Sequence, residues 1–159
     1  MRLCIAAVGK LRSGAEAGLV ADYAARIAAT GRSIGFSEFK IIEIEAPKGL
    51  DGAMRQTREA ALLLAAAPPG KRVILDERGA DLASIDMARR LGGWRDDGVG
   101  DAVFFIGGAD GLGRALRDDA DLALAFGRAT WPHLLVRAML CEQIYRAMTI
   151  LAGHPYHRA

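Results

Sequence analysis

The residues best equipped for chemistry gather at the end of this 159-residue chain. Its last six positions, His154-Pro155-Tyr156-His157-Arg158-Ala159, hold two of the three histidines, a tyrosine and an arginine. Chain ends are usually plain and frayed, so this tail is expected to have work to do. Two further stretches stand out: the glycine cluster Gly107-Gly108-Ala109-Asp110-Gly111-Leu112-Gly113 and the turn Gly127-Arg128-Ala129-Thr130-Trp131-Pro132. Glycines so dense serve either a tight turn at positive φ or a close approach of backbone to a planar ligand. The cluster lacks GxGxxG, and Arg114-Ala115 follows where a P-loop needs Lys-Ser/Thr, so nucleotide hydrolysis is not expected. His133, His154 and His157 have no supporting carboxylate spacing, which argues against a metal site. Glu142 and Arg146, four apart on a helical stretch, read as a solvated ion pair.

These residues need a frame. Leu3 to Val8, Phe36 to Ile44, Val73 to Leu75, Val103 to Ile106 and Leu122 to Phe126 read as five strands. Helical pattern falls between them, from about Ala15 to Thr30, about Asp51 to Ala67, and Ser84 to Arg90 or Leu91. Ser84 reads as the N-cap of the third helix and Gly92-Gly93 as its stop. A short helix follows the glycine cluster, and a long one runs from Pro132 to Gly153. Strict alternation predicts a single domain over 1–159, an α/β fold with a mostly parallel sheet and helices on both faces. In such sheets ligands bind beyond the carboxyl ends of the strands, here the loops after Leu75, Ile106 and Phe126.

A composition of 52 % hydrophobic and 25 % charged residues is that of a globular protein. The net charge of +2 is too small to declare a nucleic-acid binder, although a local basic patch stays open. Cys4 and Cys141 lie in apolar runs without metal spacing and read as reduced core thiols of a cytoplasmic protein. The apolar run Ala60 to Ala67 is far short of a membrane span.

Several segments together resemble one family. They are Ile106-Gly107-Gly108-Ala109-Asp110-Gly111-Leu112, Trp131-Pro132-His133-Leu134-Leu135-Val136-Arg137, Glu142-Gln143-Ile144-Tyr145-Arg146-Ala147 and His154-Pro155-Tyr156-His157-Arg158, supported by Ala7-Val8-Gly9-Lys10 and Val73-Ile74-Leu75-Asp76. In this order and spacing they resemble the bacterial large-subunit rRNA (pseudouridine-N3) methyltransferases of the SPOUT class. One departure is Ala109-Asp110, where many members carry a Pro-Glu pair; the acidic type is kept. The resemblance implies a homodimer with a C-terminal deep trefoil knot that holds S-adenosylmethionine. Carried over by position, the cofactor contacts would be Leu75, Gly108, Gly127, Arg128, Ala129, Thr130, Trp131 and Pro132. It also implies a target, a pseudouridine in the helix 69 loop of 23S rRNA on the assembled 70S ribosome. Tyr156, His157 and Arg158 of one subunit would reach the cofactor of the other. His157 would accept the N3 proton, with Glu142 the second candidate, and Arg158 would hold phosphate or the developing imide anion. Two rivals remain at this stage: a related enzyme acting on another rRNA or tRNA base, and a non-catalytic RNA-binding module.

Overall fold

The computed structural model describes residues 1–157. The chain runs β1 (Arg2–Val8), α1 (Ala15–Arg32), β2 (Glu38–Ile44), α2 (Gly52–Ala66), β3 (Lys71–Asp81), α3 (Ser84–Asp96), β4 (Asp101–Ile106), α4 (Arg114–Asp118), β5 (Leu122–Ala125) and α5 (His133–Leu151). The strands form one sheet in the order β2-β1-β4-β3-β5, and each pairing is parallel. A parallel sheet must be covered on both faces, and the alternation of side chains along each strand divides them between two cores. Leu3, Ile5 and Ala7 of β1 join Phe104 and Ile106 of β4 beneath α1, α3 and α5. Cys4, Ala6 and Val8 join Val103 and Phe105 beneath α2 and α4. No helix among the described residues is long and apolar enough to cross a membrane.

Two elements differ from the sequence pattern in ways that shape the site. Strand β3 extends well past its apolar run Val73–Leu75. Leu75 and Ala80 both sit opposite Leu124 of β5, so residues 76–79 bulge out before the strand rejoins its neighbour. Gly79 permits the return, since a Cβ there would lie 2.6 Å from the carbonyl carbon of Ala123. Helix α3 runs through Gly92-Gly93 to Asp96 instead of stopping there. A Cβ at Gly92 would come within 3.0 Å of Leu151 Cδ2, so this glycine lets α5 pack closely and does not end the helix. The N-cap of α3 is Ala83; Ser84 Oγ instead donates to Gln143 Oε1 of α5 at 2.8 Å. Similarly, α1 continues through Gly31 to Arg32, and Phe36 precedes β2 as a core side chain.

Candidate active site

A cavity of about 720 Å³ opens at the carboxyl ends of β3, β4 and β5. That volume suits a small-molecule ligand. Its walls are the β3 bulge, the glycine loop and the turn after β5. Of the positions carried over as cofactor contacts, Leu75, Gly108, Gly127, Ala129, Thr130, Trp131 and Pro132 line it. Arg128 is exposed and does not.

The glycine loop folds on itself, with Gly111 N donating to Gly108 O at 3.1 Å. Its glycines serve both a positive-φ turn and close backbone packing within the protein. Gly111 has φ 79°. Gly107, Gly108 and Gly113 each sit where a Cβ would collide: 2.8 Å from the Gly111 carbonyl carbon, 2.8 Å from Glu59 Oε1 and 2.6 Å from Gln56 O. The close approach is therefore first to the protein's own loop and to α2. From α2, Gln56 Nε2 donates to Asp110 O, and Arg55 pairs with the Asp110 carboxylate. Across the cavity, Trp131 Nε1 donates to Phe126 O at 3.0 Å, and Thr130 Oγ1 donates to Glu77 Oε2 at 3.1 Å. The last of these ties the turn to the β3 bulge.

His133, the first residue of α5, also lines the cavity. Burial, aided by the charge of Arg137, holds its pKa below the ordinary histidine value, so the imidazole is neutral at pH 7 and can accept a proton. Arg137 is fully buried one turn further on. Its Nη1 donates to Glu43 Oε1 at 2.5 Å, and its Nη2 donates to Val8 O at 3.1 Å and Gly9 O at 2.9 Å. These bonds fix the start of α5 over the ends of β1 and β2. Sequence reasoning weighed His133 as a metal ligand alone and passed over Glu59. The signal for His133 was its place, directly after the turn that forms one cavity wall.

The tail makes a second constellation. Glu142 accepts from Arg146 Nη2 at 2.5 Å, Gln143 Nε2 at 2.7 Å and Tyr156 Oη at 3.0 Å. The Glu142 and Arg146 side chains are 20 % and 28 % exposed, so the expected solvated pair is instead the half-buried centre of a network. Tyr156 packs edge-on against Tyr145 with ring centroids 4.9 Å apart, and the Arg146 guanidinium lies over its ring at 4.9 Å. Burial, then contacts with Tyr23 and Glu142, raise the Tyr156 pKa well above that of a free phenol. Tyr156 therefore acts as a neutral hydrogen-bond donor. His157 Nδ1 is buried without a hydrogen-bond partner among the described residues. Arg158 lies outside the described residues. Neither Glu142, Tyr156 nor His157 lines the cavity. Glu142 lies roughly 13 Å along the α5 axis beyond His133.

One hydrolase-like spacing is incidental. Gly31-Arg32-Ser33-Ile34-Gly35 has the letters of a GxSxG nucleophile elbow, which requires a strand before the serine. Here α1 precedes it, and Ser33 Oγ donates to Thr30 O at 2.9 Å.

Comparison with known proteins decides the family. The family model described as "Predicted SPOUT methyltransferase" matches residues 1–157. The chain belongs to the SPOUT methyltransferase family. Among curated relatives, "Ribosomal RNA large subunit methyltransferase H" of Paracoccus denitrificans is 56 % identical over 159 residues, covering 99 % of both chains. The protein of the same name from Bradyrhizobium diazoefficiens is 52 % identical over 160 residues, covering 100 % of both. Among solved structures, the SpoU methyltransferase AviRb of Streptomyces viridochromogenes matches with a TM-score of 0.43 at 12 % identity, over 96 % of this chain and 60 % of that one. The tail network, anchored on the same last helix at Glu142 and Arg146, is a separate structure from the cavity.

Proposed function

We propose that this SPOUT methyltransferase uses S-adenosylmethionine to methylate N3 of a pseudouridine in the helix 69 loop of 23S rRNA, working as a homodimer on the assembled 70S ribosome. The observation that carries the reading is the convergence of seven carried-over positions from three separate loops on one cavity. The printed names of relatives at 52–56 % identity over the full chain support ribosomal RNA as the substrate.

The cavity fits such a cofactor: Gly108 offers a bare backbone surface, and the bent segment from Gly127 (φ 80°) to Pro132 curls round the opposite side. When bound, S-adenosylmethionine supplies an electrophilic methyl group on a positively charged sulfur. The protein's own task is position, exclusion of water and management of one proton. The imide N3–H of the target base is largely protonated at neutral pH, so its proton must pass to a base as the N–C bond forms. His133 in the cavity wall and His157 of the partner's tail are the two imidazoles suited to take it. Glu142 and Arg146 hold Tyr156 in place, its single hydroxyl proton given to Glu142, and so set the path of the tail, while Arg158 neutralises the developing imide anion or a neighbouring phosphate.

We read the separation of the tail from its own cavity as the sign of a shared site, in which each subunit's tail completes the other's cavity. A deep trefoil knot accords with the path of the last segment. It leaves β5 at the sheet edge, is bonded to the β3 bulge through Thr130, and reaches the ends of β1 and β2 through Arg137. Removing residues 156–159 is expected to abolish methyl transfer to 70S ribosomes while leaving S-adenosylmethionine binding nearly unchanged. Full transfer by the truncated protein would refute the role of the tail.

A further inference from the structure

Three charged side chains among the described residues are deeply buried: Asp101, Arg137 and Glu59. Asp101 is held by Arg2 Nε and Nη2, and Arg137 by Glu43 and two carbonyls. Glu59, on α2 and 2 % exposed, has no such compensation. Its Oε1 lacks any hydrogen-bond partner among the described residues, and its Oε2 accepts a long 3.3 Å bond from Gly108 N. Arg55, one turn earlier, is committed to Asp110 and to Leu50 O. An uncompensated buried carboxylate is costly, and burial accordingly raises the Glu59 pKa.

What lies beside this carboxylate is the cavity wall. Gly108 lines the cavity, and a Cβ on it would sit 2.8 Å from Oε1 and 3.0 Å from Oε2. A single glycine, with no side chain to screen the field, therefore stands between Glu59 and whatever fills the cavity. Asp76 and Glu77 also line it, but both reach water and share the cavity with Arg78 and Arg117. Solvent screens such charges far more than one sealed behind the wall.

We propose that Glu59 is a selectivity residue, whose buried negative charge makes the cavity favour a cationic sulfonium cofactor over the neutral thioether left after methyl transfer. The inference rests on the reading that this cavity binds S-adenosylmethionine. It gives the buried carboxylate a purpose, since the missing counter-charge arrives with the cofactor and departs with the methyl group. Product release is thereby favoured without any moving part.

Calorimetry on the intact protein tests this with S-adenosylmethionine, S-adenosylhomocysteine and sinefungin, an analogue with an ammonium in place of the sulfonium. The unaltered protein should bind the two cations more tightly than the neutral thioether, by roughly tenfold. In Glu59→Gln the preference should collapse because the cations weaken, with S-adenosylhomocysteine affinity held within about twofold. Glu59→Asp, which retains the charge, should keep most of the preference. An equal loss for all three ligands in Glu59→Gln would mark Glu59 as merely structural and overturn the proposal, as would an unchanged preference. Should that variant not fold, equal affinities of the unaltered protein for sinefungin and S-adenosylhomocysteine would overturn it alone. Failure of the unaltered protein to bind any of the three would instead remove the cofactor reading beneath it.

Discussion

Tyr156 and Glu142 show how a chain end is given a fixed shape. A phenol held between a tyrosine ring, a guanidinium and a carboxylate has little freedom left, so the tail is preorganised before RNA arrives. Tyr156→Phe removes one hydrogen bond to a half-buried carboxylate. It should cost about 1 kcal/mol of stability after allowance for solvent, with a larger loss in transfer rate than in S-adenosylmethionine affinity. Denaturant unfolding and calorimetry would separate these effects. His133 yields a prediction in pH. Its folded pKa lies below the unfolded value near 6.5, so the unfolded chain takes up the proton first. Its contribution is thus at full strength above about pH 6.5 and declines as pH falls towards the folded pKa. Histidine-to-glutamine substitution at 133 should flatten that part of the stability profile, measured by urea midpoints from pH 7 downward. The two thiols give a simpler check. Cys4 and Cys141 are buried, with pKa values pushed up to about 11 and about 12. Neither should react with a thiol reagent at pH 8 until the protein unfolds; rapid labelling of the native protein would contradict their placement.

At the scale of elements, the cavity depends on an irregular strand. The β3 bulge supplies Glu77 to Thr130, and it exists because Gly79 lets the chain return onto β5. Gly79→Ala should therefore cost about 2 kcal/mol or more through overpacking and weaken S-adenosylmethionine binding at the same time. A thermal scan with and without ligand would read both. Much of this scale was legible beforehand. The apolar runs at Leu3–Val8 and Val103–Ile106 read as strands, their alternation with helices pointed to a parallel sheet, and the rule that ligands sit past strand ends selected the three loops that now form the cavity. What was not legible came from long-range packing. Polar residues Asp76–Gly79 carry no strand signal, and the return of the strand at Ala80 and Asp81 is decided by β5, some 45 residues later. Gly92-Gly93 looks like a helix stop unless the closeness of Leu151 is known. Glu59 reads as one more charge on an amphipathic helix until Gly108 is placed above it.

For the whole molecule, the proposed shared site, in which each tail completes the partner's cavity, makes a dimer the active unit. A subunit lacking residues 156–159 keeps its cavity, and one with Gly108→Val keeps its tail, so neither alone should transfer methyl groups. Mixed and allowed to exchange, half the dimers would be heterodimers, each with one complete site, and activity should return to about a quarter of the unaltered level. Persistent inactivity of the mixture would argue that each subunit uses its own tail. The modest net charge of +2 fits recognition of a shaped surface better than capture of free RNA by counter-charge alone.

The most direct test of the proposed activity is mass spectrometry of 23S rRNA after incubating the purified protein with S-adenosylmethionine and ribosomes from a strain lacking this activity. The expected result is one added methyl group, mapped to N3 of a pseudouridine in helix 69, on assembled 70S ribosomes and far less on free 23S rRNA. A methyl group on a different nucleotide, or none at all on 70S ribosomes, would contradict the account.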